Sequence, residues 1–229
     1  GSPANTDAGA EDFYTAESFL KYGSSLRVVR LNSTGVFSAN ASAHASTLLK
    51  HHDDYVNTFK SGGSAGTVGK FISKYAGSKG NSLKVSTCAS SDAYFNDAVT
   101  TTGGAEAIGQ TTITVAASNV FVLRDIIKFA GHDTEYRVLT APSGTTITIE
   151  ALDQPAGTGL TSAVANCANI DRYWEHHGLF NKAPGKSASA LAAGGSNDEI
   201  HVVVVDEDGV FTGKTNSILE TFGFLSLAS

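Results

Sequence analysis

Three successive carboxylates, Asp206-Glu207-Asp208, close the run Ile200-His201-Val202-Val203-Val204-Val205 and are followed by Gly209. Carboxylates at the carboxyl end of a central strand are where α/β enzymes often hold a divalent cation or an acid–base pair. An acidic calcium loop, however, needs alternating ligands and a distal Glu, and this turn has neither. A charged turn capping a buried strand accounts for the same residues. His51-His52-Asp53-Asp54 and Glu175-His176-His177 carry zinc-ligand types. Adjacent residues point to opposite faces of a strand and diverge by about 100° on a helix, so neighbouring imidazoles rarely share one ion. Neither cluster has the HExxH pattern that puts two histidines on one helical face. Gly69-Lys70 resembles the end of a phosphate loop, but Ser64 and Phe71 replace the first glycine and the magnesium-binding hydroxyl. No serine sits in a GxSxG elbow, and Cys88 and Cys167, without CxxC partners, are expected to be two buried thiols. Asn32-Ser33-Thr34 and Asn40-Ala41-Ser42 match the glycosylation pattern by chance. The sequence therefore assigns no catalytic, cofactor-binding or metal-binding residue.

Composition narrows the classes further. At 229 residues with 41% apolar content, the chain can build one large core or two modest ones. Its 16 Lys and Arg are dispersed and the net charge is −6, so no basic cluster faces a phosphate backbone; no nucleic-acid partner is expected. No apolar run approaches the roughly 18 residues of a membrane helix, and the N-terminus lacks a signal-peptide arrangement; no membrane partner is expected. Charged residues are only 17%, against a usual value of about 25%, which suits a packed assembly or particle. The absence of Met leads to the expectation that the chain is a fragment.

The elements that would position these residues begin with a helix over Glu11 to Tyr22, with Phe13, Ala16, Phe19 and Leu20 on one side and Gly23 past its end. Leu26 to Leu31 is branched and short, which predicts a strand. Helical spacing of Val68, Phe71, Ile72 and Tyr75 predicts a second core helix, ended by Gly77 and Gly80. Leu83 to Cys88 alternates as a half-buried strand does. From about Thr100 the texture changes to short strands at Thr111–Val115, Val120–Leu123, Ile126–Phe129, Tyr136–Leu139 and Thr145–Ile149, with turns at Ala130-Gly131-His132 and Pro142-Ser143-Gly144. Residues 169 to 182 are too irregular for a helix, and Ser187 to Gly195 reads as a linker. The valine run, with no polar face, must be covered on both sides and needs neighbours from before the β-rich stretch. Asn216 to Phe222 places Ile218, Leu219 and Phe222 on one helical face. The predicted class is α+β: a discontinuous layered α/β core domain (residues 1–104 and 162–229) with an inserted small all-β barrel or sandwich module (residues 105–161).

Three segments, in order, resemble contractile phage (myovirus) tail sheath proteins. They are Glu11 to Gly23 running into Leu26 to Arg30, Tyr75 to Val85 with its Gly80-Asn81-Ser82-Leu83 run, and Asn197 to Gly209 with its continuation Leu219 to Phe222. The resemblance implies a virion structural subunit, made in the host cytoplasm, that self-associates into hexameric rings around a tail tube, meets tube and baseplate proteins, and contracts during genome ejection. It implies no catalysis. A prophage or bacteriocin-like particle would use the same parts. It also implies that the carboxyl-terminal sheath domain is missing and that this fragment is monomeric. Two other readings stand beside it. The β module could be a glycan-binding surface for host contact, resting on Phe121, Phe129 and Tyr136, or Asp206 to Asp208 could serve a carboxylate-dependent hydrolase.

Overall fold

A computed structural model describes residues 7–28, 36–42, 47–60 and 71–226. The chain is α+β and divides into two compact units, Gly1–Gly80 and Asn81–Ser229.

In the first unit, α1 (Asp7–Leu20) forms where the sequence places it, and Gly23 ends it by donating its N–H to the Phe19 carbonyl at 2.9 Å. The expected strand at 26–31 does not extend over Leu26, Arg27 and Val28, which join no sheet; Val29 to Leu31 lie outside the described residues. Val28 is 76% exposed, so its branched side chain lacks the packing surface that makes a strand stable. A short helix, α2 (His52–Asp54), continues as a π-helical turn over Tyr55–Lys60. Phe59 and Leu49 form a small core with Tyr55 and Ile72. The expected helix at 68–75 is corrected for its described part. Ile72 bridges Asn40 antiparallel, with Ala41 N–H donating to the Phe71 carbonyl at 2.9 Å and Ser73 N–H to the Ala39 carbonyl at 2.7 Å. Phe71 and Tyr75 are exposed, so helical spacing there had no core to serve, and so short a segment cannot sustain a helix alone.

The second unit holds two antiparallel sheets. One has the order β1 (Leu83–Cys88), β8 (Glu199–Asp206), β9 (Ser217–Ser226), so the valine strand is central and its neighbour β1 does come from before the β-rich stretch. The other has six strands, in the order β2 (Phe95–Thr101), β7 (Asn169–Tyr173), β4 (Ile126–Phe129), β5 (Glu135–Val138), β6 (Thr146–Ala151), β3 (Thr112–Thr114). The expected module bounds of 105 and 161 fall inside this sheet, because β2 and β7 lie beyond them. Its two edge strands meet at one corner, where Ala116 N–H donates to the Thr101 carbonyl at 2.9 Å and Gly103 N–H to the Thr114 carbonyl at 2.8 Å. Inward residues such as Ile127, Phe129, Tyr136, Ile149 and Ile170 form its core, and the buried Tyr136 hydroxyl is satisfied by Thr161 Oγ1 at 2.9 Å.

Two expected elements change type. Val120 to Leu123 is a turn, because the Asp125 carboxylate accepts the Val122 N–H at 2.8 Å and Arg124 adopts φ +76°. Residues 217 to 222 belong to the strand β9, with Asn216 in the turn before it, because pairing with the open edge of β8 satisfies a row of backbone groups that a short surface helix would not. The linker at 187–195 contains α4 (Ala188–Ala192), capped by the Ser187 hydroxyl, which accepts the Ala190 N–H at 3.1 Å; α3 (Ser91–Tyr94) precedes β2.

Where β7 ends, Trp174 packs with Cys88, Val203 and Val205, joining the two sheets through one small core. Val203 is fully buried there. Val203→Ala removes two buried methyl groups and is expected to cost about 2 kcal/mol. Urea unfolding followed by the fluorescence of Trp174 should show a lower midpoint at unchanged slope.

Candidate functional site

Asp206, the last residue of β8, is fully buried. Its Oδ1 accepts from Ser82 Oγ at 2.6 Å, and its Oδ2 accepts from Phe211 N at 2.9 Å, Thr212 N at 2.8 Å and Thr212 Oγ1 at 2.9 Å. Three of these four donors crowd Oδ2 and the fourth holds Oδ1, and burial closes the carboxylate to solvent. Desolvation pushes its pKa up, but the donors from Ser82, Thr212 and Phe211 outweigh it and hold the carboxyl at about 2. Glu207 and Asp208 are exposed on the turn that these bonds shape, and Asp208 N–H donates to Ser82 Oγ at 3.1 Å. The carboxylate set is thus a folded turn with its first member turned inward, and the hydrolase reading loses its central group.

Glu175 directly follows Trp174 and turns its carboxylate to β1. Lys84 Nζ lies 2.8 Å from Oε1, Ser86 Oγ donates to Oε1 at 2.9 Å, and Arg124 Nε donates to Oε2 at 2.8 Å. Ser86 Oγ in turn accepts from the Trp174 indole at 3.0 Å. His176 Nε2 lies 3.4 Å from Oε1. Desolvation raises the Glu175 pKa, yet contact with His176 and Lys84 overrides it and holds the group well below the usual carboxylate range. Beside this network a cleft of about 600 Å³ is lined by Arg124, Arg137, Glu150 and Glu175, with Leu123, Leu139 and Ile218 among its apolar walls. The charges pair with one another: Arg137 lies 3.6 Å from Glu150 and Arg124 is bound to Glu175. The arrangement is a half-buried ionic joint. Sequence reading missed its other members because Lys84, Ser86 and Arg124 are distant in the chain. The available signal was the period-2 placement of Lys84 and Ser86, which puts both on one face of β1.

The remaining candidates have structural roles. His51 Nδ1 caps α2 by accepting the Asp54 N–H at 3.1 Å. Asp54 accepts from Lys50 N and Thr58 Oγ1, which lowers its pKa. His177 packs against Tyr173 with the rings tilted by 38° and their centroids 4.9 Å apart. Among the described residues no group of three or more His, Cys, Asp or Glu could hold a metal ion. Cys88 is buried, and burial pushes its thiol pKa up, away from reactivity. Cys167, expected to be buried, is exposed, in a turn where it adopts φ +58°. Asn40 of the glycosylation pattern is half-buried in the bridge to Ile72; Asn32, Gly69 and Lys70 lie outside the described residues. Phe121, Phe129 and Tyr136 are all core residues, so none of the three can stack on a sugar. Among the described residues no helix is long and apolar enough to cross a membrane. Comparison with known families, curated proteins and solved structures returns no match.

Two expectations follow. Glu175→Ala strands two cations, each with about a quarter of its side chain still in water. The cost should be about 2 kcal/mol, below that for breaking a fully buried pair, and chemical denaturation would read it. Asp206 is held below its unfolded value, so its stabilisation is present above the ordinary Asp range, near pH 4, and is lost as pH falls through about 2. Thermal melts across that interval should show Tm falling with pH, and falling less steeply in Asp206→Asn.

Proposed function

We propose that the chain is part of a contractile tail sheath protein, a structural subunit that polymerises around a tail tube and shortens by rearranging subunit contacts. Alongside the three segments of resemblance, the single observation that carries this reading is where large apolar side chains stay uncovered. On α1, Tyr14, Phe19 and Leu20 are each more than half exposed. On β9, Ile218, Leu219, Phe222 and Leu225 are between 36% and 46% exposed. Scattered exposed apolar residues are ordinary, but runs of them along one element mark surfaces that another protein covers. Both elements overlap segments that resemble sheath proteins. A subunit repeated by a rotation and a rise needs two different patches on each copy, because only a heterologous contact propagates into a helix. α1 and β9 are two such patches, and the tail tube and baseplate are further partners in this reading. The caged Asp206 and the paired charges at Glu175 favour a load-bearing subunit over a catalytic one.

The test is assembly of the complete protein from which residues 1–229 derive. It is expected to form tubular polymers in negative-stain images, while residues 1–229 alone scatter light as a monomer or weak dimer. Phe19→Asp and Leu219→Asp should each leave stability within about 0.5 kcal/mol, as surface changes do, and abolish the tubes. Complete protein that stays monomeric in all conditions, or tubes indifferent to both substitutions, would refute the reading.

A further inference from the structure

We infer that His201 is an acid-released latch that fastens the carboxyl end of β9 to β8. His201 is fully buried near the start of β8. Its Nδ1 accepts the Phe224 N–H at 3.1 Å, and its Nε2 lies 3.0 Å from the Lys182 carbonyl oxygen. A carbonyl only accepts and an N–H only donates, so the geometry requires one tautomer: Nε2 protonated, Nδ1 bare, the ring uncharged. Phe180 stacks on that ring at 4.2 Å with the planes 5° apart, and Phe224 meets it edge-on at 4.6 Å. Phe224 sits where the β8–β9 register slips between Ile200 and Val202, with φ +56°. At this bulge the imidazole, not the β8 backbone, takes the Phe224 amide proton. One side chain therefore stands in for a rung of the ladder.

A second proton would turn Nδ1 into a donor facing a donor, in an aromatic pocket. The titratable and charged groups around it offer no compensation. Lys182 Nζ lies 5.0 Å from the centre of the Phe224 ring and, as a cation, cannot pair with a charged imidazole. Tyr94, from the end of α3, has its ring 6.1 Å away and donates its hydroxyl to the His177 and Phe180 carbonyls. Cys88, opposite on β1, is neutral and buried. The charge is relieved when Phe224 and the residues after it swing out and the ring reaches water. That open state binds one more proton, so its population rises as pH falls. A second clip on the same strand end, Ser226 Oγ donating to Asp198, does not titrate with it. The Ser226 and Ser187 bonds hold Asp198 at about 2, so it stays ionised through the histidine range. Opening would free the edge of β8 at Glu199 to His201 for another strand, a switch that stands independently of the sheath reading.

Amide hydrogen exchange, corrected for intrinsic rates, tests this on the intact chain at about pH 7.5 and about pH 4.5, either side of an ordinary histidine. Protection of Gly223 to Ser226 is expected to fall about tenfold or more at the lower pH, while β1 and Val202 to Val205 keep theirs. His201→Gln, which can accept and donate but cannot be charged, should hold the strand end equally at both. Unchanged wild-type protection, an equal loss in His201→Gln, or the whole sheet losing protection in step would each overturn the latch. Ring nitrogen shifts of wild-type His201 at about pH 7.5 test the geometry without a substitution: a neutral ring protonated at Nε2 supports the latch, and a ring protonated at Nδ1 overturns it.

Discussion

The placement of β8 is the constraint on which the rest of the second unit depends. Val202, Val203 and Val205 are buried on a strand flanked by β1 and β9, so both faces demand covering layers and both edges demand partners. Four identical side chains cannot define register, because a slip of two residues would still place valine where valine had been. The buried polar residues that bracket them can. His201 at one end and Asp206 at the other each have a unique set of partners, all supplied by segments outside the strand. A slipped strand would bury an unsatisfied imidazole and an unsatisfied carboxylate, each costing more than the apolar burial distinguishes.

The same logic explains how the two sheets hold together. Trp174 buries its ring against β1 and β8 and anchors its indole N–H on Ser86, and the next residue, Glu175, closes an ionic joint to β1 and to Arg124. Apolar contact supplies the affinity, while the charge pairs dictate a single orientation, since any other would leave Lys84 or Arg124 facing apolar surface.

Much of the fold was legible in the sequence, and the unread parts share a cause. α1, β1, β4, β5, β6 and β8 each carry their own signal in periodicity or branching. β7 does not: Asp171 and Arg172 occupy a strand interior because Asp171 accepts the Ala98 N–H and Arg172 pairs with the buried Asp125. A central strand with such residues shows no apolar pattern. β9 carried a misleading one, since Ile218, Leu219 and Phe222 fit a helix face, and only the open edge of β8, invisible in a local window, selects the strand. The Glu175 joint was not legible, because its members meet only after both sheets exist.

The two bulges in β9 limit what its exposed edge can do. Register slips at Leu219 and again around Phe224 leave only Glu220, Thr221 and Phe222 in unbroken pairing between them. Stacking of strands without end, as in amyloid, needs a regular segment of about six or seven residues with evenly spaced free donors and acceptors. An otherwise apolar, nearly uncharged ribbon is thereby made a poor template for its own copies, and its greasy side chains can be offered to a partner without the chain seeding its own precipitation.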